Sequence, residues 1–230
     1  MRKPAAPRRA ARTLEQRLRM LADRLAGVYG RPRRAAGDPL DCLVETVLSQ
    51  ATSDTNSARA FLALKEAFPS WERAAEARPL ALERVIRSGG LARMKSRRIH
   101  ALLRAVRARE GRYDLGALRR LPVAAAEARL VGLPGVGPKT RACVLLFALR
   151  KHAFPVDTHV HRLARRLGLV PARSSAEAAH ALLAPAVARG RALELHLNLI
   201  RHGREVCRAH RPRCGGCALR AACPSRGTAA

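Results

Sequence analysis

Three short stretches of this chain carry residue types that do chemistry, at spacings that suit it. Cys207, Cys214, Cys217 and Cys223 form a C-x6-C-x2-C-x5-C pattern, a density of thiols that points to metal ligation. A disulfide is disfavoured in an intracellular chain, and one between Cys214 and Cys217 would close only a tight local loop. Structural zinc usually takes two close pairs separated by a longer loop, whereas here one pair is flanked by two single cysteines. Four thiolates at mixed short spacings can equally wrap a cubane, so a [4Fe–4S] cluster stands ahead of zinc on pattern, with zinc as the rival. Either would staple a segment too short for a core of its own. The other two cysteines, Cys42 and Cys143, fall on apolar helix faces and read as buried, inert thiols.

The second stretch is Leu133-Pro134-Gly135-Val136-Gly137-Pro138-Lys139-Thr140. Two glycines two apart, then a proline at a first helical position, predict a tight hairpin opening into a helix. Backbone N–H groups at Gly135 and Gly137 can approach a phosphate closely, although a plain helix–helix turn would use the same residues. Lys139 falls in the first turn of that helix, where the positive end of the helix dipole disfavours a second positive charge. Only five lysines stand among the 45 lysines and arginines of the chain. An arginine stays protonated, whereas a lysine can act as an amine nucleophile. The third stretch, Pro155-Val156-Asp157-Thr158-His159, starts a helix with Asp157, which can cap it and bring a carboxylate near Lys139.

Positioning these residues falls to helices. Leu, Ala and Arg dominate while Ile, Thr and the aromatics are sparse, so an all-α fold of about ten short helices is expected. Thr13 with Gln16 resembles a capping box before Leu14, Leu18, Leu21 and Leu25. Asp38 and Pro39 start a second helix, and a polar turn, QATSD, follows it. Further helical patterns cover about 54–67, 79–88, 93–109, 138–148 and 157–167, then one capped by Ser174 with Glu177, then 192–202. A net charge of +28 with no acidic block to offset it implies a polyanionic partner. Aromatics at 3% leave no row of stacking platforms for single strands, which favours duplex DNA. No apolar run is long enough to span a membrane and no secretory signal precedes the first helix, so an intracellular protein, cytoplasmic or nucleoid-associated, is expected.

LPGVGPKT, then FPVDTHVHRL, then the four cysteines, in that order, resemble the endonuclease III branch of the helix-hairpin-helix DNA glycosylases. The resemblance implies a two-lobed all-α protein with a six-helix lobe over 41–151. An iron–sulfur lobe would join 13–40 to 152–225, with a disordered basic arm at 1–12 and a tail at 226–230. Damaged bases would enter between the lobes. It further implies that Lys139 is the nucleophile and Asp157 the carboxylate assisting it. Gly135, Val136 and Gly137 would form the phosphate-gripping loop, and Cys207, Cys214, Cys217 and Cys223 would hold a [4Fe–4S] cluster. The implied activity is base excision repair: a glycosylase with abasic-site lyase activity, on damaged pyrimidines in double-stranded DNA, acting as a monomer.

Two loops depart from that family's pattern. In Leu48-Ser49-Gln50-Ala51-Thr52-Ser53-Asp54, Gln50 resembles the gap-filling glutamine but stands one position early, so either Gln50 inserts or Ala51 leaves the gap largely unfilled. In Gly89-Gly90-Leu91-Ala92-Arg93, Leu91 is a candidate wedge, while Ala92 and Arg93 replace an aromatic and a polar residue. These departures keep two alternatives open: a glycosylase without lyase activity, and a non-catalytic binder of damaged DNA.

Overall fold

The computed structural model describes residues 13–227; the arm at 1–12 and the last three residues of the tail lie outside them. Among the described residues all regular structure is helical, and no helix is long and apolar enough to cross a membrane. The chain divides into two compact units. One is Arg33–Asp157, and the other joins the N-terminal segment up to Pro32 to the C-terminal segment from Thr158. These divisions lie outside the 41–151 expected for the first lobe. Residues 33–40 are tied into the Arg33–Asp157 unit, for Arg119 Nη2 donates to the Gly37 carbonyl at 2.6 Å and the Arg34 guanidinium lies 4.8 Å from the Phe147 ring centroid.

The Arg33–Asp157 unit holds α2 (Pro39–Ser49), α3 (Asp54–Ala67), α4 (Trp71–Glu76), α5 (Pro79–Val85), α6 (Ala92–Glu110), α7 (Val123–Leu130) and α8 (Pro138–Cys143). Asp38 starts α2 as its sequence suggested, its Oδ1 accepting from the Leu40 and Asp41 amides at 2.9 Å each. That satisfies two of the N–H groups a helix start leaves without partners. Leu43, Val44, Val47 and Leu48 of α2 and Ile99, Leu102, Leu103 and Val106 of α6 are wholly buried and form much of the core. Two helices escape the sequence pattern, α4 and α7: they are about as short as α5 and α8 but lack the proline in the first turn that marks those. The helix expected over 138–148 is α-helical only to Cys143 and continues as a π-turn over Val144–Ala148. There the Leu149 amide reaches back five residues to the Val144 carbonyl at 3.0 Å.

In the other unit, α1 (Leu14–Tyr29) packs on α11 (Ala192–Glu205), which packs on α9 (Thr158–Arg166); α10 (Ala176–Ala186) joins α9 and α1. The Thr13–Gln16 capping box forms, with bonds of 3.2 and 3.0 Å. Ser175 rather than Ser174 caps α10, accepting from the Ala178 amide at 3.1 Å, because the Ser174 hydroxyl donates back to Pro171. Gly203 lets α11 approach α9, for a Cβ there would stand 3.0 Å from His159 Nδ1.

Candidate active site and thiol group

Leu133 and Val136 bury their side chains and the Val136 amide donates to the Leu133 carbonyl at 3.1 Å, so the hairpin is fastened to the core at its base. Gly135 has φ +75°, where a side chain would be strained although space is available. Gly137 precedes α8 with no side-chain cap, so the first N–H groups of that helix keep their capacity for an outside acceptor. Lys139 is the second residue of α8 and is half-buried.

One turn further along α8, the buried Cys143 thiol lies within electrostatic reach of both Lys139 and Asp157. The amine and the carboxylate singled out in the sequence therefore share one neighbour. Burial raises the Cys143 thiol above its ordinary value and Asp157 adds to that, while Lys139 and Arg34 act against them. Cys42 Sγ faces the Cys143 carbonyl at 3.9 Å and is pushed up to about 12, chiefly by burial. A raised thiol is protonated, and the thiolate is the reactive form. At pH 8, iodoacetamide should therefore leave Cys42 and Cys143 unmodified in the folded protein and label both in denaturant; peptide mass mapping reads the difference, and labelling of the native pair would contradict their burial.

Three other described lysines are bound up in structure. Lys65 pairs with Asp41 at 3.1 Å, and Asp41 also accepts from Trp71 Nε1 at 2.9 Å. Lys151 donates to the Arg119 carbonyl at 3.0 Å and to that of Leu121. Lys95 is completely buried, donating to the Leu48 carbonyl at 2.6 Å, Thr52 Oγ1 at 2.5 Å and the Gly89 carbonyl at 2.7 Å. Lys95 stood out in the sequence only as one of the five lysines, without a role, yet a further signal was there: it continues the buried stripe of Ile99, Leu102 and Val106 at helical spacing, an unusual place for a charge.

Gln50 and Leu91 stand on the two loops that Lys95 touches. Gln50 ends α2 and its Oε1 accepts from Arg98 Nη1 at 2.8 Å, while the following Ala51 adopts φ +50°. Leu91 adopts φ +48° and is 56% exposed, at the edge of an open basin of about 730 Å³ that also takes in Arg93, Arg97, Arg98 and Pro134 of the hairpin. Arg98 was passed over; its Cδ lies 3.7 Å from where a Gly135 Cβ would be, so it adjoins both the Gln50 loop and the hairpin.

In the other unit, the thiols of Cys207, Cys214 and Cys223 each push up that of Cys217, though burial is the larger cause. The Cys223 thiol is raised likewise, by burial first and then by Cys207 and Cys214. The four thus form one neighbourhood. Arg166 Nη1 lies 3.4 Å from Cys207 Sγ and donates to the Arg208 carbonyl at 2.6 Å; Cys217 Sγ lies 3.4 Å from His202 Nε2, whose other ring nitrogen meets the Tyr29 hydroxyl at 3.0 Å. Among the described residues, no group of three or more His, Cys, Asp or Glu side chains converges as ligands of a single metal ion.

Known proteins resemble this chain along most of its length. The profile of the HhH-GPD superfamily base excision DNA repair proteins matches residues 44–188. A putative DNA glycosylase of Arabidopsis thaliana is 46% identical over 132 residues, 57% of this chain but only 45% of that relative's length. Endonuclease III of Thermotoga maritima is 36% identical over 188 residues, 81% of this chain and 83% of that protein. Among solved structures, a trapped covalent intermediate of endonuclease III with DNA superposes with a TM-score of 0.80 at 27% identity, covering 93% of this chain and 97% of that one.

Proposed function

The chain belongs to the HhH-GPD superfamily of base excision DNA repair proteins, in its endonuclease III-like branch, and from that premise we propose that it excises damaged pyrimidines from duplex DNA and then cuts the strand at the abasic site. The observation that carries this is Lys139, at the start of α8 directly behind the hairpin, with the Cys143 thiol within electrostatic reach of both it and Asp157. A glycosylase that only activates water has no need of an amine there. The amine is what a lyase requires.

Gly135 and Gly137 grip the backbone through their amides, on a loop that Val136 fastens to the core, while the damaged nucleotide turns out of the stack. Gln50 and Leu91 enter the space it leaves. The Lys139 nitrogen bonds to C1′ of the sugar through its lone pair as the bond to the base breaks, the base leaving with the electron pair and taking a proton from solvent. Asp157 accepts the proton lost from the attacking nitrogen and offsets the positive charge developing on the sugar. The ring oxygen then leaves C1′ as the Schiff base forms. Loss of a C2′ proton expels the 3′ phosphate, and water hydrolyses the imine to release Lys139.

The four thiols of Cys207, Cys214, Cys217 and Cys223 supply an all-sulfur donor set that suits a [4Fe–4S] cluster. Tetrahedral zinc, with bonds of about 2.3 Å, would need those sulfurs drawn tightly round one ion. When bound, the cluster supplies a covalent staple to the C-terminal segment; Arg166 and His202 would orient its thiolate ligands. The protein acts on DNA as a monomer in this proposal.

Borohydride trapping tests the proposal. Wild-type protein mixed with a duplex carrying one abasic site, or one oxidised pyrimidine, should give a covalent protein–DNA adduct when the imine is reduced. Folded, brown protein that removes the base but forms no adduct would reduce the proposal to a glycosylase without lyase activity. A panel of oxidised, deaminated and mismatched sites would define which bases are removed.

A further inference from the structure

We propose that Lys95 is the positioning residue of the two loops that face the gap: its ammonium sets the placement of Gln50 and Leu91 relative to one another. The proposal rests on the function proposed above, in which those two residues enter the space left by the flipped nucleotide.

An ammonium has three N–H donors, and Lys95 spends them on three different segments. The Leu48 carbonyl belongs to the last turn of α2, two residues before Gln50. Thr52 Oγ1 follows Ala51 directly, and the Gly89 carbonyl stands two residues before Leu91. Thr52 Oγ1 and the Gly89 carbonyl are themselves in hydrogen-bond contact, which closes the group into one cluster spanning both loops. One side chain on α6 therefore fastens the backbone on either side of Gln50–Ala51 to the backbone leading into Leu91.

Ala51 and Leu91, the non-glycine residues in these loops with positive φ, occupy the left-handed region that side chains disfavour. Such conformations persist only where surrounding contacts over-determine them, and they gather at sites where a residue must be presented in one direction. Stability alone does not call for a lysine here. An apolar side chain of similar volume avoids the desolvation cost of a buried charge, whereas a fully satisfied polar cluster specifies one geometry. Arg98, one turn beyond Lys95 on α6, adds a bond to the Gln50 side chain at 2.8 Å, so α6 holds both the backbone and the side chain of that loop.

The test uses a duplex with a tetrahydrofuran abasic analogue, on which Lys139 cannot react, and 2-aminopurine opposite it. Wild-type binding should change the fluorescence as the opposing base is unstacked. Lys95→Met should bind within about threefold of wild type, because phosphate contacts supply most of the affinity. It should nevertheless lose more than roughly half of the fluorescence change, since displacement of an inserted group by about 1 Å is enough to spoil its placement. Thr52→Val, which deletes one of the three acceptors at little change in volume, should give an intermediate loss and decides the matter if Lys95→Met does not fold. In a Gln50→Ala, Leu91→Ala background, Lys95→Met should remove nothing further, whereas a merely structural role would add its full effect. A full fluorescence change in both Lys95→Met and Thr52→Val, an additive loss in that background, or no change with wild type would each overturn the proposal. A normal fluorescence change with no borohydride adduct on abasic DNA would instead sink the lyase activity and leave Lys95 in its role.

Discussion

Lys139→Ala is expected to give no borohydride adduct with abasic DNA and to lower the enzyme's rate of strand cleavage by on the order of 10⁴-fold, the scale seen when a covalent nucleophile is deleted. Duplex affinity should change by less than about threefold, because one cation among many contributes little to a phosphate-dominated interaction. The fold should be untouched, since Lys139 is only half-buried. No other described lysine is placed to substitute: Lys65 and Lys151 are committed to Asp41 and to the carbonyls of Arg119 and Leu121, and Lys95 is sealed in its own cluster. Asp157→Asn makes the graded companion. It keeps the shape but removes the proton acceptor, so adduct formation should slow by about 10²- to 10⁴-fold without being abolished. An adduct formed at wild-type rate by Lys139→Ala would move the nucleophile elsewhere and remove the basis for the proposed lyase.

How much of this was legible in the sequence depends on the range of the interaction concerned. The helix starts at Thr13 and Asp38 were readable because a cap involves residues two or three apart, and both formed. Lys139 and Asp157 stood out because their local positions, at helix starts after a hairpin and a turn, are sequence properties. What could not be read was the thiol near both, since Cys143 looked like any small apolar residue on a helix face, and only the fold puts it within electrostatic reach of Asp157. Lys95 was hidden for a related reason. Its place on the buried stripe was legible, but its three acceptors come from positions 48, 52 and 89, and no one-dimensional pattern relates a lysine to acceptors up to 47 residues away. The Gln50 loop was flagged as irregular, but its outcome, a side chain held by Arg98 and an alanine in the left-handed region, depends on contacts across α6. The change from α to π at Cys143 was likewise not legible, since no Gly or Pro between Lys139 and Ala148 announces it.

Cys217→Ala is expected to yield colourless protein whose melting temperature falls by at least about 10 °C, the shift that roughly 4 kcal/mol produces in a chain of this size. The segment that follows α11 has almost no core: within 207–227, Leu219 is the buried apolar side chain besides the partly covered cysteines. Its backbone is held instead by Arg162, which donates to the Cys207 carbonyl at 3.1 and 3.0 Å, and by Arg166, which reaches the Arg208 and Ala209 carbonyls at 2.6 and 2.8 Å. Those bonds orient the segment but bury little surface, so the proposed centre bound to the four thiols would be what closes it. Burial raises the Cys217 and Cys223 thiols above their ordinary values, so binding a metal centre as thiolates would release their protons. Limited proteolysis should therefore cut within 207–227 in Cys217→Ala and spare it in wild type, whereas Lys139→Ala should match wild type in colour, melting temperature and cleavage pattern. Unchanged colour and stability in Cys217→Ala would exclude that thiol as a ligand. Zinc in place of iron in colourless, fully stable wild-type protein would keep the staple but replace the cluster.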